Sequence, residues 1–326
     1  MKKRISTRAI CLAIAAVLLI GALTVSAING SPYENLKNAV INAFFYESFT
    51  LEAEVTIRVD GQIHEHSWSR QYLGNDGWLN INSATGDESR ASYTSSYFTV
   101  HPVNFGDNNV QWHMASRRFQ GDTLFAGTPQ PLGYTIFGAA GRNSNYLRLA
   151  EMSADLLIGD LKNNLTMSTQ SDGTRRISGA ITESQLPEIV RVLIDIAIDE
   201  QLRWANTTRT RDEFDNVLSI PMRNLTIDRI QGDADIDAYG NLLYVSFLGR
   251  ATIENIFGDT HVVEIEGSSR FSDIGTTTPV NPFVGIEEIL AAPRETRQVF
   301  FTLNDDGSIN QDSVTTHWPQ LNQHVR

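Results

Sequence analysis

The chain has 326 residues, a single cysteine, and 38 acidic against 26 basic residues, for a formal charge of −12. That balance repels phosphate backbones and anionic head groups, which argues against a nucleic-acid partner. The lone Cys11 lies in the N-terminal apolar run, so the rest of the chain has no disulfide and no thiolate zinc ligand and must stand on its own core.

Lys2, Lys3, Arg4 and Arg8 precede Ala9–Ala27, nineteen residues without a charge. As a helix this run spans about 28 Å, close to the hydrocarbon thickness of a bilayer. The cationic flank is expected to stay cytoplasmic while the downstream chain is translocated. Segment 1–30 therefore reads as a membrane anchor or a signal peptide. Its length favours a retained transmembrane helix; Val25-Ser26-Ala27 offers a cleavage site for the alternative. Cys11 comes directly after Arg8-Ala9-Ile10, the wrong end of the run for a lipoprotein signal. The expected location is the cell membrane, single-pass with the C-terminal domain extracytoplasmic, or secreted if the signal is cleaved. Without the four N-terminal cations, 22 basic residues face 38 acidic ones, or −16, and such a surface stands off an anionic membrane.

Ser31-Pro32-Tyr33-Glu34 reads as a helix start, with Ser31 as N-cap, Pro32 at the first helical position and Glu34 closing a capping box. Leu36, Val40, Ile41 and Phe44 then share a face, which predicts a helix to about Tyr46. From Phe49 to Val59 the period changes to two. Phe49, Leu51, Ala53, Val55, Ile57 and Val59 alternate with Thr50, Glu52, Glu54, Thr56, Arg58 and Asp60. This predicts a long strand with the odd positions buried and the even ones wet, ending at the Asp60-Gly61 hairpin signal. More strands are expected to about Gln120, with turns at Gly74–Gly77 and Gly106–Asn109.

Gly121–Gly141 holds five glycines and two prolines together with Leu124, Phe125, Tyr134, Ile136 and Phe137. It reads as a long loop folding over an apolar opening, and those five side chains are the candidate ligand-binding residues. A second helix is expected from Ser144 to Asn163, striped by Leu147, Ala150, Ala154, Leu157, Ile158 and Leu161. A hairpin turns at Ser171-Asp172-Gly173-Thr174. Thr182, with Gln185 in the box position, is expected to cap a third helix that is apolar over a wide arc. Ile220–Ile274 reads as a meander turning at Tyr239-Gly240-Asn241 and Phe257–Thr260. Gly275–Phe283 reads as an extended linker, and Gln298–Ile309 as a last hairpin. The expected domains are 1–30, the anchor or signal; 31–275, an α+β exported domain; and 276–326, a C-terminal extension carrying that hairpin.

SPYENLKNAVINAFFY continuing into FTLEAEVTIRVDG, and later GDADIDAYGNLLYVSFLGRATIENIFGDTHVVEIEGSSRF, resemble in plan the LolA-like lipoprotein-carrier superfamily. The resemblance covers about two thirds of the chain and rests on no specific motif. It implies an α+β fold: a large curved antiparallel sheet, half-barrel-like, packed against a few α-helices around an apolar cleft. It also implies a lipid or lipoprotein ligand, and transfers no single residue as a site.

The remaining constellations have simpler explanations. Asp233, Asp235 and Asp237 suggest a calcium loop, but Ala238 and Tyr244 stand where an EF-hand needs Gly and Glu. The three aspartates read as the wet face of a strand. His64 and His66 share a strand face with no third ligand in view, and read as solvated. No nucleophile elbow, zincin, Walker or dinucleotide motif is present. The expectation is a non-catalytic envelope protein with no metal and no cofactor, binding a lipid, lipoprotein or other hydrophobic ligand. The alternative is an interaction or signalling ectodomain that regulates a membrane or envelope protein partner.

Overall fold

A computed structural model describes residues 31–74, 77–84, 90–95, 98–104, 110–116, 136–138, 140–158, 164–204, 217–283, 298–304 and 308–315. The expected N-terminal membrane segment lies outside these residues; among those described, no helix is long and apolar enough to cross a membrane. The described chain is α+β, a large antiparallel sheet with three helices. It forms two compact units built from interleaved segments. The first contains residues up to Phe45, Ala53–Ser67 and Leu132–Phe271; the second contains Tyr46–Glu52, Trp68–Pro131 and the chain from Ser272 onward.

In the first unit α1 (Pro32–Phe44) starts at the predicted Ser31-Pro32, while the Glu34 carboxylate expected to close a capping box is engaged by Lys37. Ser31 is the N-cap, Pro32 occupies the first turn, and the Ser31 hydroxyl accepts from the Glu34 N–H at 3.4 Å. The Glu34 carboxylate lies 3.2 Å from Lys37 Nζ. Tyr33, Leu36 and Ala39 are the buried face. Ile41 and Phe44 pack instead into a separate small cluster with Phe45, Phe137 and Leu147.

Strand β1 (Phe49–Val59) has the predicted bounds and contributes to both units. It turns through Asp60 and Gly61, both at positive φ, into β2 (Gln62–Gly74). The strict in–out alternation needs correction. Ile57 and Val59 are buried, but Val55 is only half-buried and Thr50 and Thr56 are buried with them. The reason is local satisfaction: Thr56 Oγ1 lies 3.1 Å from His66 Nδ1 and Thr50 Oγ1 lies 3.2 Å from Thr277 Oγ1. A hydroxyl with a partner is buried at little cost. His66 is therefore tied to its neighbours on β1, with Glu54 Oε1 3.7 Å from the same nitrogen.

Further along the first unit, strands β7 (Leu165–Thr169) and β8 (Arg175–Ile181) form the predicted hairpin, in which Asp172 Oδ1 accepts from the Thr174 N–H at 2.9 Å. Strands β9 (Met222–Ile236), β10 (Leu242–Asn255) and β11 (Thr260–Ser272) are the predicted meander. Asn255 locks the second turn: its Oδ1 accepts from the N–H groups of Phe257 and Asp259, at 2.9 and 3.0 Å. The hydrogen-bonded order of these strands is β2-β1-β11-β10-β9-β8-β7.

Helix α2 (Asn145–Ile158) buries Leu147 and Ala154, whereas Ala150 of the expected stripe is exposed. Helix α3 (Glu188–Trp204) departs from expectation at its start. The Thr182–Gln185 capping box forms, but around a short 3-10 turn over Glu183–Gln185. Pro187 comes next and holds Leu186 extended at φ −64, ψ 133, so the α-helix begins only after it.

The second unit comprises β3 (Gly77–Ala84), β4 (Arg90–Ser95), β5 (Phe98–Asn104), β6 (Val110–Ser116) and the C-terminal hairpin β12 (Gln298–Leu303) and β13 (Ile309–Thr315). Its order is β13-β12-β6-β5-β4-β3-β2-β1. Its core gathers Leu79, Tyr93, Val100, Trp112, Phe283, Phe301 and Ile309. Gly275–Phe283 is pinned along its length. Gly275 N–H donates to Ser48 O at 2.8 Å, Ser48 Oγ donates to Thr277 O at 3.1 Å, and the Phe283 ring lies 5.0 Å from that of Trp112.

Candidate functional site

The apolar heart of the first unit is formed by residues of all three helices and the sheet beneath. Tyr33 of α1, Ala154 of α2, and Val190, Ile194 and Ile198 of α3 meet Ile227 and Ile230 of β9. The spacing along α3 explains its part: residues 190, 194 and 198 recur every four positions and lie on one face. Tyr33 is 1% exposed, and its hydroxyl has no hydrogen-bond partner among the described residues. Lys37 Nζ stands 4.6 Å from the centre of the Tyr33 ring and 3.5 Å from Asp155 Oδ1, so it crosslinks α1 to α2 and leaves the Tyr33 hydroxyl unpaired. A buried hydroxyl left unpaired costs about 1–3 kcal/mol. An acceptor oxygen entering this cluster would remove that cost.

The five loop residues expected to bind ligand are distributed differently. Leu124, Phe125 and Tyr134 lie outside the described residues. Ile136 is exposed and Phe137 is buried. The Phe137 ring lies 5.7 Å from Phe44 and 6.3 Å from Phe45, and Arg142 sits 4.7 Å over the Phe45 ring. Phe137 thus fastens the chain entering α2 to the C-terminal end of α1. Tyr33 is the residue that the sequence reading passed over. It stands between a helix-starting proline and a capping glutamate, and so looks like first-turn surface; yet Tyr33, Leu36 and Val40 have the i, i+3, i+7 spacing of a buried face.

The polar constellations are each engaged. Arg176 grips Asp235 through two contacts at 2.7 and 2.6 Å, and this pairing holds the guanidinium above its ordinary range. Asp233 Oδ1 accepts from Ser178 Oγ at 2.6 Å, and Asp237 accepts from the N–H groups of Tyr239 and Asn241, each at 2.8 Å. Among the described residues no three acidic, histidine or cysteine side chains gather as a metal site. Asp60 is held below the ordinary carboxylate range, first by His261 Nδ1 at 2.8 Å and then by the Val262 N–H at 2.9 Å.

No family model matches the chain, and no curated protein is similar to it in sequence. Among solved structures it is similar to the lipoprotein LppX of Mycobacterium tuberculosis, at 10% identity over 76% of this chain and 96% of that one, with a TM-score of 0.27. It is also similar to a LolA superfamily protein, NE2245 of Nitrosomonas europaea, at 9% identity over 74% of this chain and 93% of that one, with a TM-score of 0.20. A further match is the acyl-CoA thioesterase II TesB2 of Mycobacterium marinum, at 11% identity over 82% and 100% of the two chains, with a TM-score of 0.11.

Proposed function

We propose that this chain is a non-catalytic carrier or receptor for an amphiphile with an acyl chain, held between the helices and the sheet of the first unit. The observation that carries the reading is the Tyr33 hydroxyl, unpaired within a cluster of Ala, Ile, Leu and Val side chains. A ligand whose chain lies among these residues and whose ester or carboxyl oxygen accepts from Tyr33 would meet both needs of the site. The half-barrel curvature of the resembling superfamily belongs to this proposal. So does the location: exported behind segment 1–30 and tethered to the membrane by it, or secreted after cleavage.

Native mass spectrometry of the full chain, released from detergent micelles, tests the ligand. A retained adduct in the mass range of an acyl lipid, reduced in Tyr33→Phe, is expected. A well-folded chain with no adduct, and no saturable uptake of a fluorescent fatty acid, would sink the carrier reading. Membrane fractions washed with high salt test the tether: the chain should remain, and a soluble form starting near Ile28 would replace the anchor with a cleaved signal.

A further inference from the structure

Helices α2 and α3 each carry two apolar faces, and the cluster around Tyr33 uses only one of each. On α2, Tyr146, Leu149 and Met152 succeed one another at three-residue spacing and are exposed, Tyr146 to 72%. The neighbouring outward positions Asn145 and Ser153 are uncharged, while Arg148, Glu151 and Asp155 fall to one side. On α3, Ile189, Val192, Leu193 and Ile196 repeat as i, i+3, i+4, i+7, opposite the buried Val190, Ile194 and Ile198. Ile196 is 57% exposed. Outward apolar stripes at helical spacing, bordered by charged residues, are a contact surface.

The place where the undescribed N-terminal segment ends says what covers these faces. The apolar segment read as the anchor is bounded at Ala27, and Ser31 already caps α1. The four backbone steps from Ala27 to Ser31 span at most about 14 Å. Two residues beyond the cap, Tyr33 joins the same buried cluster as Ala154 of α2 and Val190, Ile194 and Ile198 of α3. A chain tethered through residues 9–27 therefore holds both helices beside the bilayer, and the tether supplies an effective concentration that makes even a weak surface contact persist.

From this we infer that the outward faces of α2 and α3 lie in the interface of the membrane that anchors the chain, as interfacial amphipathic helices do. The border of the α3 stripe selects the lipid. Glu188, Asp195 and Asp199 are exposed along one edge, and their charge opposes anionic head groups, so the surface fits a zwitterionic bilayer. This inference rests on the tethered reading and is independent of the ligand at Tyr33.

The test uses the full chain with Cys11→Ala, reconstituted into phosphatidylcholine vesicles and recovered by flotation. A polarity-sensitive fluorophore is attached to a single cysteine at Leu149→Cys, Leu193→Cys or Tyr239→Cys. Tyr239 is 91% exposed in the β9–β10 turn, where Gly240 O accepts from Asn42 near the far end of α1 from Ser31, and so serves as the control. Labels at positions 149 and 193 should be blue-shifted and quenched several-fold more than the label at 239 by a lipid spin-labelled near its head group. Anionic lipid in the vesicles should weaken both effects. A chain that floats with all three labels equally quenched, or with none quenched, overturns the inference while leaving the tether standing. Blue-shifted but unquenched labels would assign the faces to a protein partner instead, and would also overturn it. A chain that fails to float overturns both the tether and this surface.

Discussion

Replacing Tyr33 by phenylalanine separates the two things the residue does. The ring fills space among Ala154, Ile181, Leu186, Val190, Ile194 and Ile198, and phenylalanine fills it equally well. The hydroxyl is buried and unpaired, so removing it relieves a desolvation cost of about 1–3 kcal/mol. The ligand-free variant should accordingly be more stable than the parent by about 1–2 kcal/mol, or about 2–8 °C in Tm for a unit of this size. The same change removes the donor for an incoming carboxyl or ester oxygen, worth about 0.5–1.5 kcal/mol, or roughly two- to tenfold in affinity. Urea denaturation of delipidated protein reads the first effect, and titration with a fluorescent fatty acid reads the second. Stability and affinity should move in opposite directions. A ligand-free variant that loses 1 kcal/mol or more would show that the hydroxyl already has a partner, and the reasoning about this site would fail.

Thr56→Asp should destabilise by about 1–3 kcal/mol in chemical denaturation, because Thr56 is buried beside His66; a neutral result would return Thr56 to the solvent face. Gly74→Ala should cost about 1–3 kcal/mol, since a methyl group there would stand 2.7 Å from Thr277 O and 2.5 Å from Pro279 Cδ; an unchanged midpoint would refute the close approach. Phe137→Ser should lower stability by about 3–5 kcal/mol, as loss of a buried aromatic does, rather than act chiefly on ligand uptake. Asp60 titrates below its ordinary value in the folded chain, so it adds stability above the unfolded-state pKa and loses it as pH falls through the folded one. The stability gap between parent and Asp60→Asn should therefore shrink below about pH 4, and a gap constant across that range would refute the His261 pairing as its cause.

The elements legible in the sequence were those whose cause is local. Strand β1 shows its period of two from Phe49 to Val59, and the Asp-Gly turn after it has both residues at positive φ. Ser31-Pro32 started α1, and Asp172-Gly173 turned β7 into β8. The failures came from partners that the local hydrophobic period does not register. Thr56 is drawn inward by His66 on the next strand, and Thr50 by Thr277 some 227 residues away. At Thr182 the capping box was correctly placed, but Pro187 limits what it caps to a single turn. The site was less legible still. Tyr33 becomes distinctive only once three helices and β9 surround it, and nothing in its own neighbourhood marks the hydroxyl as unpaired.

The pairing of β1 also sets a timetable. Its hairpin with β2 is complete once about the first quarter of the chain has been made, whereas its other neighbour is β11. The contacts from Asp60 to His261 and Val262 close loops of 201 and 202 residues. Contacts of such separation form late and slowly. During synthesis the β1 edge must wait, with its backbone donors and acceptors open to other chains. The charged side chains of Glu52, Glu54 and Arg58 along that strand blunt the waiting edge against pairing with other chains.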